Sequence, residues 1–76
     1  MILLHKVDQQ RNENKYYSLH IQADLFGQWA LMRYWGRIGK NGQLKIDTFS
    51  TLEEAQQLFN DLKKNKIKKG YFLVMD

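Results

Sequence analysis

A chain of 76 residues buries only about 60% of its unfolded surface, too little for two cores, so residues 1–76 are expected to form one domain. It has no cysteine, and His5 and His20 stand apart without acid or thiol neighbours at ligand spacing, which excludes disulfides and a structural zinc and predicts no cofactor. Twelve Lys and Arg against eight Asp and Glu give +4, a balance that favours polyanions but does not by itself separate a nucleic-acid binder from a merely soluble surface.

Ile2 to Val7 is apolar enough for a short strand, and no apolar run approaches the roughly 20 residues of a membrane span. The opening MILLH also lacks the basic segment of a signal peptide, so the expectation is a soluble, cytoplasmic protein, and the absence of cysteine agrees with a reducing compartment. Asp8 to Asn14 is wholly polar and reads as an exposed connection. From Lys15 the chain alternates, with Tyr17, Leu19, Ile21 and Ala23 on one face and Tyr16, Ser18, His20 and Gln22 on the other.

Asp24 to Gly27 has turn chemistry, and Gln28 to Trp35 resumes a strand with large side chains on both faces. Asn41-Gly42 predicts a tight hairpin turn, returning through Gln43 to Phe49. Ser50-Thr51-Leu52-Glu53 has the S-x-x-E spacing of a capping box, which predicts a helix start. Leu52, Ala55, Leu58, Phe59 and Leu62 then recur at three- and four-residue intervals, so the helix should lay one apolar stripe across the sheet. Gly70 marks a stop, and Tyr71 to Met75 can form a last strand. The fold class that results is α+β, a small mainly antiparallel β-sheet with one face covered by a single helix in the order β-β-β-β-α-β.

Met32 to Gly39, written MRYWGRIG, is the stretch that points to chemistry. If Ala30, Met32 and Tyr34 face the core, the two-residue period puts Arg33, Trp35 and Arg37 together on the other face. Such a row offers planar donors for phosphate and an indole for a base or sugar. Gly36 would leave it open from the side. The same residues also suit a core tryptophan flanked by snorkelling arginines, and composition alone does not separate the two readings. Lys40 and Lys45 bracket the hairpin tip and would extend a basic patch. Lys63, Lys64 and Lys66, in a run of five lysines up to Lys69, would add auxiliary phosphate contacts or simply form a solvated helix end. Trp29, beside a turn, reads as a rim filler.

Neither histidine has a base or second ligand beside it, and Glu53 with Glu54 is explained by capping and the helix dipole. Gly36-x-x-Gly39-x-x-Gly42 falls in a hairpin rather than between a strand and a helix, so it is not a phosphate loop. The sequence advertises no catalytic or metal-binding residues, and no enzyme is expected.

Trp35-Gly36-Arg37 with Ile38-Gly39 and Gly42-Gln43 resembles the signature of the WGR domain, a module of poly(ADP-ribose) polymerases and of some bacterial proteins. The resemblance extends through Asn14-Lys15-x-Tyr17, Phe49, Leu52-Glu53-Glu54-Ala55, Phe59 and Gly70-Tyr71, from about residue 14 to residue 71. It implies a domain that helps recognise DNA breaks, with Trp35 against the sugar-phosphate end of a strand and basic groups nearby on phosphate. Arg37 resembles a residue that in the polymerases links DNA recognition to regulatory helices, and this chain contains no such helices. Arg33 stands where the family is commonly basic.

The leading expectation is therefore a non-enzymatic nucleic-acid-binding module, recognising DNA ends or strand breaks through Arg33, Trp35, Arg37, Lys40 and Lys45. The alternative is a protein-interaction module that docks an acidic or helical partner on the Trp-Gly-Arg surface.

Overall fold

The computed structural model describes residues 1–76 and contains six elements: β1 (Ile2–Asp8), β2 (Glu13–Ala23), β3 (Trp29–Arg37), β4 (Gln43–Phe49), α1 (Leu52–Lys68) and β5 (Phe72–Met75). The strands form one antiparallel sheet in the order β4-β3-β2-β1-β5. Because α1 joins one edge strand to the other, it must cross the sheet, and it does so on one face only.

That face carries the core. Ile2 and Leu4 of β1, Tyr17 and Leu19 of β2 and Leu31 of β3 are buried together, and Leu58, Phe59 and Leu62 of α1 pack onto them. Ala55, the small residue in the helix stripe, is completely buried. Helix and sheet therefore meet through the three- and four-residue repeat expected for α1 and the two-residue repeat expected for β2.

The alternation along β3 has the opposite sense from the expectation. Tyr17, Leu19 and Ile21 stand opposite Trp35, Arg33 and Leu31 in the β2–β3 register. Directly opposed antiparallel residues share a face, so the core face of β2 draws Leu31, Arg33 and Trp35 to the helix side. Ala30, Met32 and Tyr34 lie on the uncovered face, where Tyr34 is exposed. Arg33, Trp35 and Arg37 do share one face, but it is the helix face.

Two local signals are displaced by a few residues. The hairpin between β3 and β4 is present, but its left-handed residue is Gly39, at φ 83°, and neither Asn41 nor Gly42 has positive φ. The connection is thus longer than a two-residue Asn-Gly turn. The helix cap is Thr51 rather than Ser50: its Oγ1 accepts from the Glu54 amide at 3.2 Å and donates to Glu54 Oε1 at 3.0 Å. The T-x-x-E spacing therefore prevails over the overlapping S-x-x-E spacing. Thr51→Ala removes this cap and should lower unfolding free energy by about 1 kcal/mol in a denaturant titration, whereas Ser50→Ala should leave it nearly unchanged.

Candidate functional site

Three elements converge at the end of the sheet where β2 and β3 enter their loops. Trp35 stacks on Tyr17 with centroids 6.3 Å apart and planes inclined by 19°. Tyr71, just before β5, meets Tyr17 edge-on at 6.4 Å. Over this aromatic floor α1 extends Lys66, whose Nζ lies 4.5 Å from the Tyr17 ring centroid and 5.3 Å from that of Tyr71. Lys66 is placed by helical spacing, since it follows Phe59 and Leu62 on the face that turns toward the sheet.

Beside this stack is an open cleft of about 360 Å³ bounded by Lys15, Tyr16, Trp35, Arg37, Lys66 and Tyr71. Arg37 is exposed, and its guanidinium donates to the Asn12 carbonyl at 3.3 Å and to Asn12 Oδ1 at 3.4 Å. The β1–β2 loop thus holds it at the cleft mouth without neutralising it. Lys15 is 3.9 Å from Glu13, whose same oxygen is 3.3 Å from Lys6.

Arg33 has a different role. Its Nη2 and Nε donate to Asp47 Oδ2 on β4 at 2.6 and 3.2 Å. Burial alone would lower its pKa, but the hydrogen bonds and charge of Asp47, with the nearby Tyr17, more than reverse this and raise it. A cation already satisfied in this way is a poor first contact for phosphate. It instead fastens β3 to β4 beneath the cleft.

Lys66 has no acidic partner. Burial and the nearby charges of Lys69, Lys15, Arg33 and Lys6 lower its pKa from the ordinary 10.5. Burial, with the charge of Glu13 and the neighbouring Tyr17, raises that of Tyr71. The cleft therefore combines a flat aromatic wall with cations whose mutual repulsion an anion would relieve.

Of the residues singled out from sequence, Trp35, Arg37 and Lys66 meet at this cleft, with Arg33 behind Trp35. Lys40 lies in the β3–β4 connection and Lys45 on the outer strand β4, and neither lines the cleft. Lys63 and Lys64 border a separate surface depression with Asn60 and Ile67. Lys15, Tyr16 and Tyr71 also line the cleft, beyond the site residues that the sequence suggests. The helical stripe was the available signal for choosing Lys66 from its run, whereas the position of Tyr71 depends on where α1 ends.

Gly36 does not serve to open the surface. A β-carbon there would come 2.8 Å from the Gly42 backbone and 3.3 Å from the Tyr16 ring, so its lack of a side chain permits a close crossing at the start of the hairpin.

The WGR domain family matches residues 1–75. An uncharacterized protein, y4dW, of Sinorhizobium fredii (strain NBRC 101917 / NGR234) is 41% identical over 70 residues, which are 92% of this chain and 34% of that protein. A poly [ADP-ribose] polymerase of Drosophila melanogaster is 36% identical over 72 residues, 92% of this chain and 7% of the polymerase. The human protein mono-ADP-ribosyltransferase PARP3 is 31% identical over 68 residues, 90% of this chain and 13% of the transferase. This chain therefore corresponds to a minor part of each of these relatives, a small non-catalytic module that also occurs attached to catalytic regions. With the motif tryptophan and arginine of Trp35-Gly36-Arg37 set at the cleft, and with the match running almost end to end, the chain belongs to the WGR domain family.

Proposed function

We propose that this protein binds DNA at exposed strand ends or breaks, seating a terminal sugar-phosphate in the cleft beside Trp35. Arg37, Lys66 and Lys15 meet phosphate, while Arg33 supports the strand that carries the tryptophan. The observation that carries this reading is Lys66, a half-buried cation over two tyrosine rings with no carboxylate partner. Placing an aromatic plane beside such a charge suits a ligand with both a flat or apolar surface and an anionic group, and a nucleotide terminus has both. An intact duplex offers phosphates but no free end to lie against the indole.

Fluorescence titration with blunt duplex, nicked duplex, closed circular duplex and single strand tests this. Ends and nicks should bind more tightly than the circle, and log K should fall with log salt at a slope of about −2 to −4 for three or four phosphate contacts. Equal affinity for the circle would rule out end recognition, and no binding to any DNA at low salt would rule out the whole reading. An acidic protein segment as the true ligand would give that last result.

The direction of the Lys66 shift makes a further test. Phosphate favours protonated Lys66, so affinity should decline as pH rises through its lowered pKa, at a lower pH than for an ordinary lysine at 10.5. Lys66→Arg should keep binding and abolish this alkaline decline. The stability effect has the opposite sign. Below 10.5 the unfolded chain holds the Lys66 proton more tightly, so this group's contribution to stability improves as pH rises through that window.

A further inference from the structure

The edge of the sheet formed by β4 is bare, since β3 covers only one side of it. Edge strands in soluble proteins are usually blunted, often by a charge or by shortness. β4 is seven residues long, with Leu44 49% and Ile46 51% exposed. Its charges are placed unusually. Lys45 lies directly across from Arg33, a like-charge cross-strand pair. Asp47 compensates Arg33, and Lys45 has no ion-pair partner in the chain.

A second copy supplies what is missing. In a two-fold antiparallel pairing of β4 with β4 centred on Ile46, residues two apart exchange partners across the axis. Lys45 then faces Asp47 of the second copy, and Asp47 faces Lys45 of the second copy. Ile46 meets its own equivalent, and Leu44 meets Thr48. Both Arg33 donors use Asp47 Oδ2, which leaves Oδ1 for the incoming lysine. The neighbouring two-fold registers are poor: centring on Lys45 opposes two lysines, and centring on Asp47 opposes two aspartates. The charges therefore select one register as well as one partner.

We propose that the protein self-associates through β4 in this register, giving a continuous ten-stranded sheet with both helices, and both Trp35 clefts, on the same side. Ile46 and Leu44 of the two copies join on the uncovered face. The contact is a single strand pair, small by the standard of permanent dimers, so the association is weak and depends on concentration. It does not rest on DNA binding and is measured without DNA.

Sedimentation equilibrium of the full chain between roughly 10 µM and 1 mM should show the weight-average mass rising from 9.1 kDa toward twice that value. Lys45→Glu puts two acids against each other at each pair and should weaken association at least about tenfold, with circular dichroism unchanged. Lys68→Glu, an equal charge change on the exposed helix end, should leave association intact. On the unaltered protein, amide exchange of β4 should slow with rising concentration while that of β5, at the other edge, does not. A protein that stays at 9.1 kDa throughout, a dimer that survives Lys45→Glu, equal loss in both variants, or protection appearing on β5 instead would each overturn the proposal.

Discussion

Trp35→Ala should weaken binding to blunt and nicked DNA by about 5- to 150-fold, the loss expected for one aromatic stacking contact of about 1–3 kcal/mol. On the proposed reading the indole both packs and binds, and truncation removes both. It is half-buried against Tyr17, so truncation should also lower unfolding free energy by about 2–3 kcal/mol, less than for a fully enclosed tryptophan. The titration must therefore be made where circular dichroism shows the variant folded. Trp35→Phe separates the roles: a smaller ring still covers Tyr17 and still offers a face to a terminal sugar, so most of the stability and part of the affinity should return. Lys66→Gln provides the complementary case. It removes the unpaired charge while keeping much of the aliphatic stem, and should reduce affinity and the salt slope together with little loss of stability. If folded Trp35→Ala binds ends as tightly as the parent, the cleft is not the site of end recognition.

The order of elements was legible in the sequence because each has a local cause: alternation in β2, turn residues between β3 and β4, a cap spacing before α1 and an apolar stripe along it, although the left-handed residue is Gly39 rather than the Asn41-Gly42 pair and the cap is Thr51 rather than Ser50. The sense of β3 was not. Ala30, Met32 and Tyr34 are as apolar as Trp29, Leu31 and Trp35, so the strand's own pattern holds no preference between faces. Pairing with β2 decides it, because Leu19 and Tyr17 must join the core and carry Arg33 and Trp35 with them. The consequence for the site is specific. Arg33 looked like a free phosphate contact, yet it comes within reach of Asp47 only through the β3–β4 register. The helical stripe turns Lys66, one of five lysines in its run, toward the sheet, but its place over Tyr17 and Tyr71 depends on β2 and on where α1 ends, which the helix alone does not reveal. The motif letters locate the cleft, and the register determines which of the charges around it remain available.

Gly42→Ala should be among the most destabilising single-methyl changes in the protein, although Gly42 lies outside any strand. A β-carbon at this position would run into the Trp35 carbonyl and the Tyr16 hydroxyl. The carbonyl is backbone and cannot turn aside as a side chain can, so relief requires the hairpin to open. Overpacking of this kind costs about 1–3 kcal/mol, and disturbance of the adjoining Trp35–Gln43 pairing places the expectation at the upper end. For a domain of this size each kcal/mol moves Tm by about 4–8 °C, so a fall of roughly 10–20 °C is expected. Gly39→Ala is the matched comparison. Gly39 has φ 83° with nothing within 4 Å of an added β-carbon, so it bears only conformational strain, about 1 kcal/mol. The same hairpin thus separates two reasons for glycine, room at residue 42 and backbone geometry at residue 39. A milder thermal shift for Gly42→Ala than for Gly39→Ala would mean that the crossing of Gly36, Gly42 and Tyr16 is not tight. A tight crossing also links stability to function: Gly42→Ala should displace Trp35 through its own carbonyl, so DNA-end affinity should fall even where the variant is still folded.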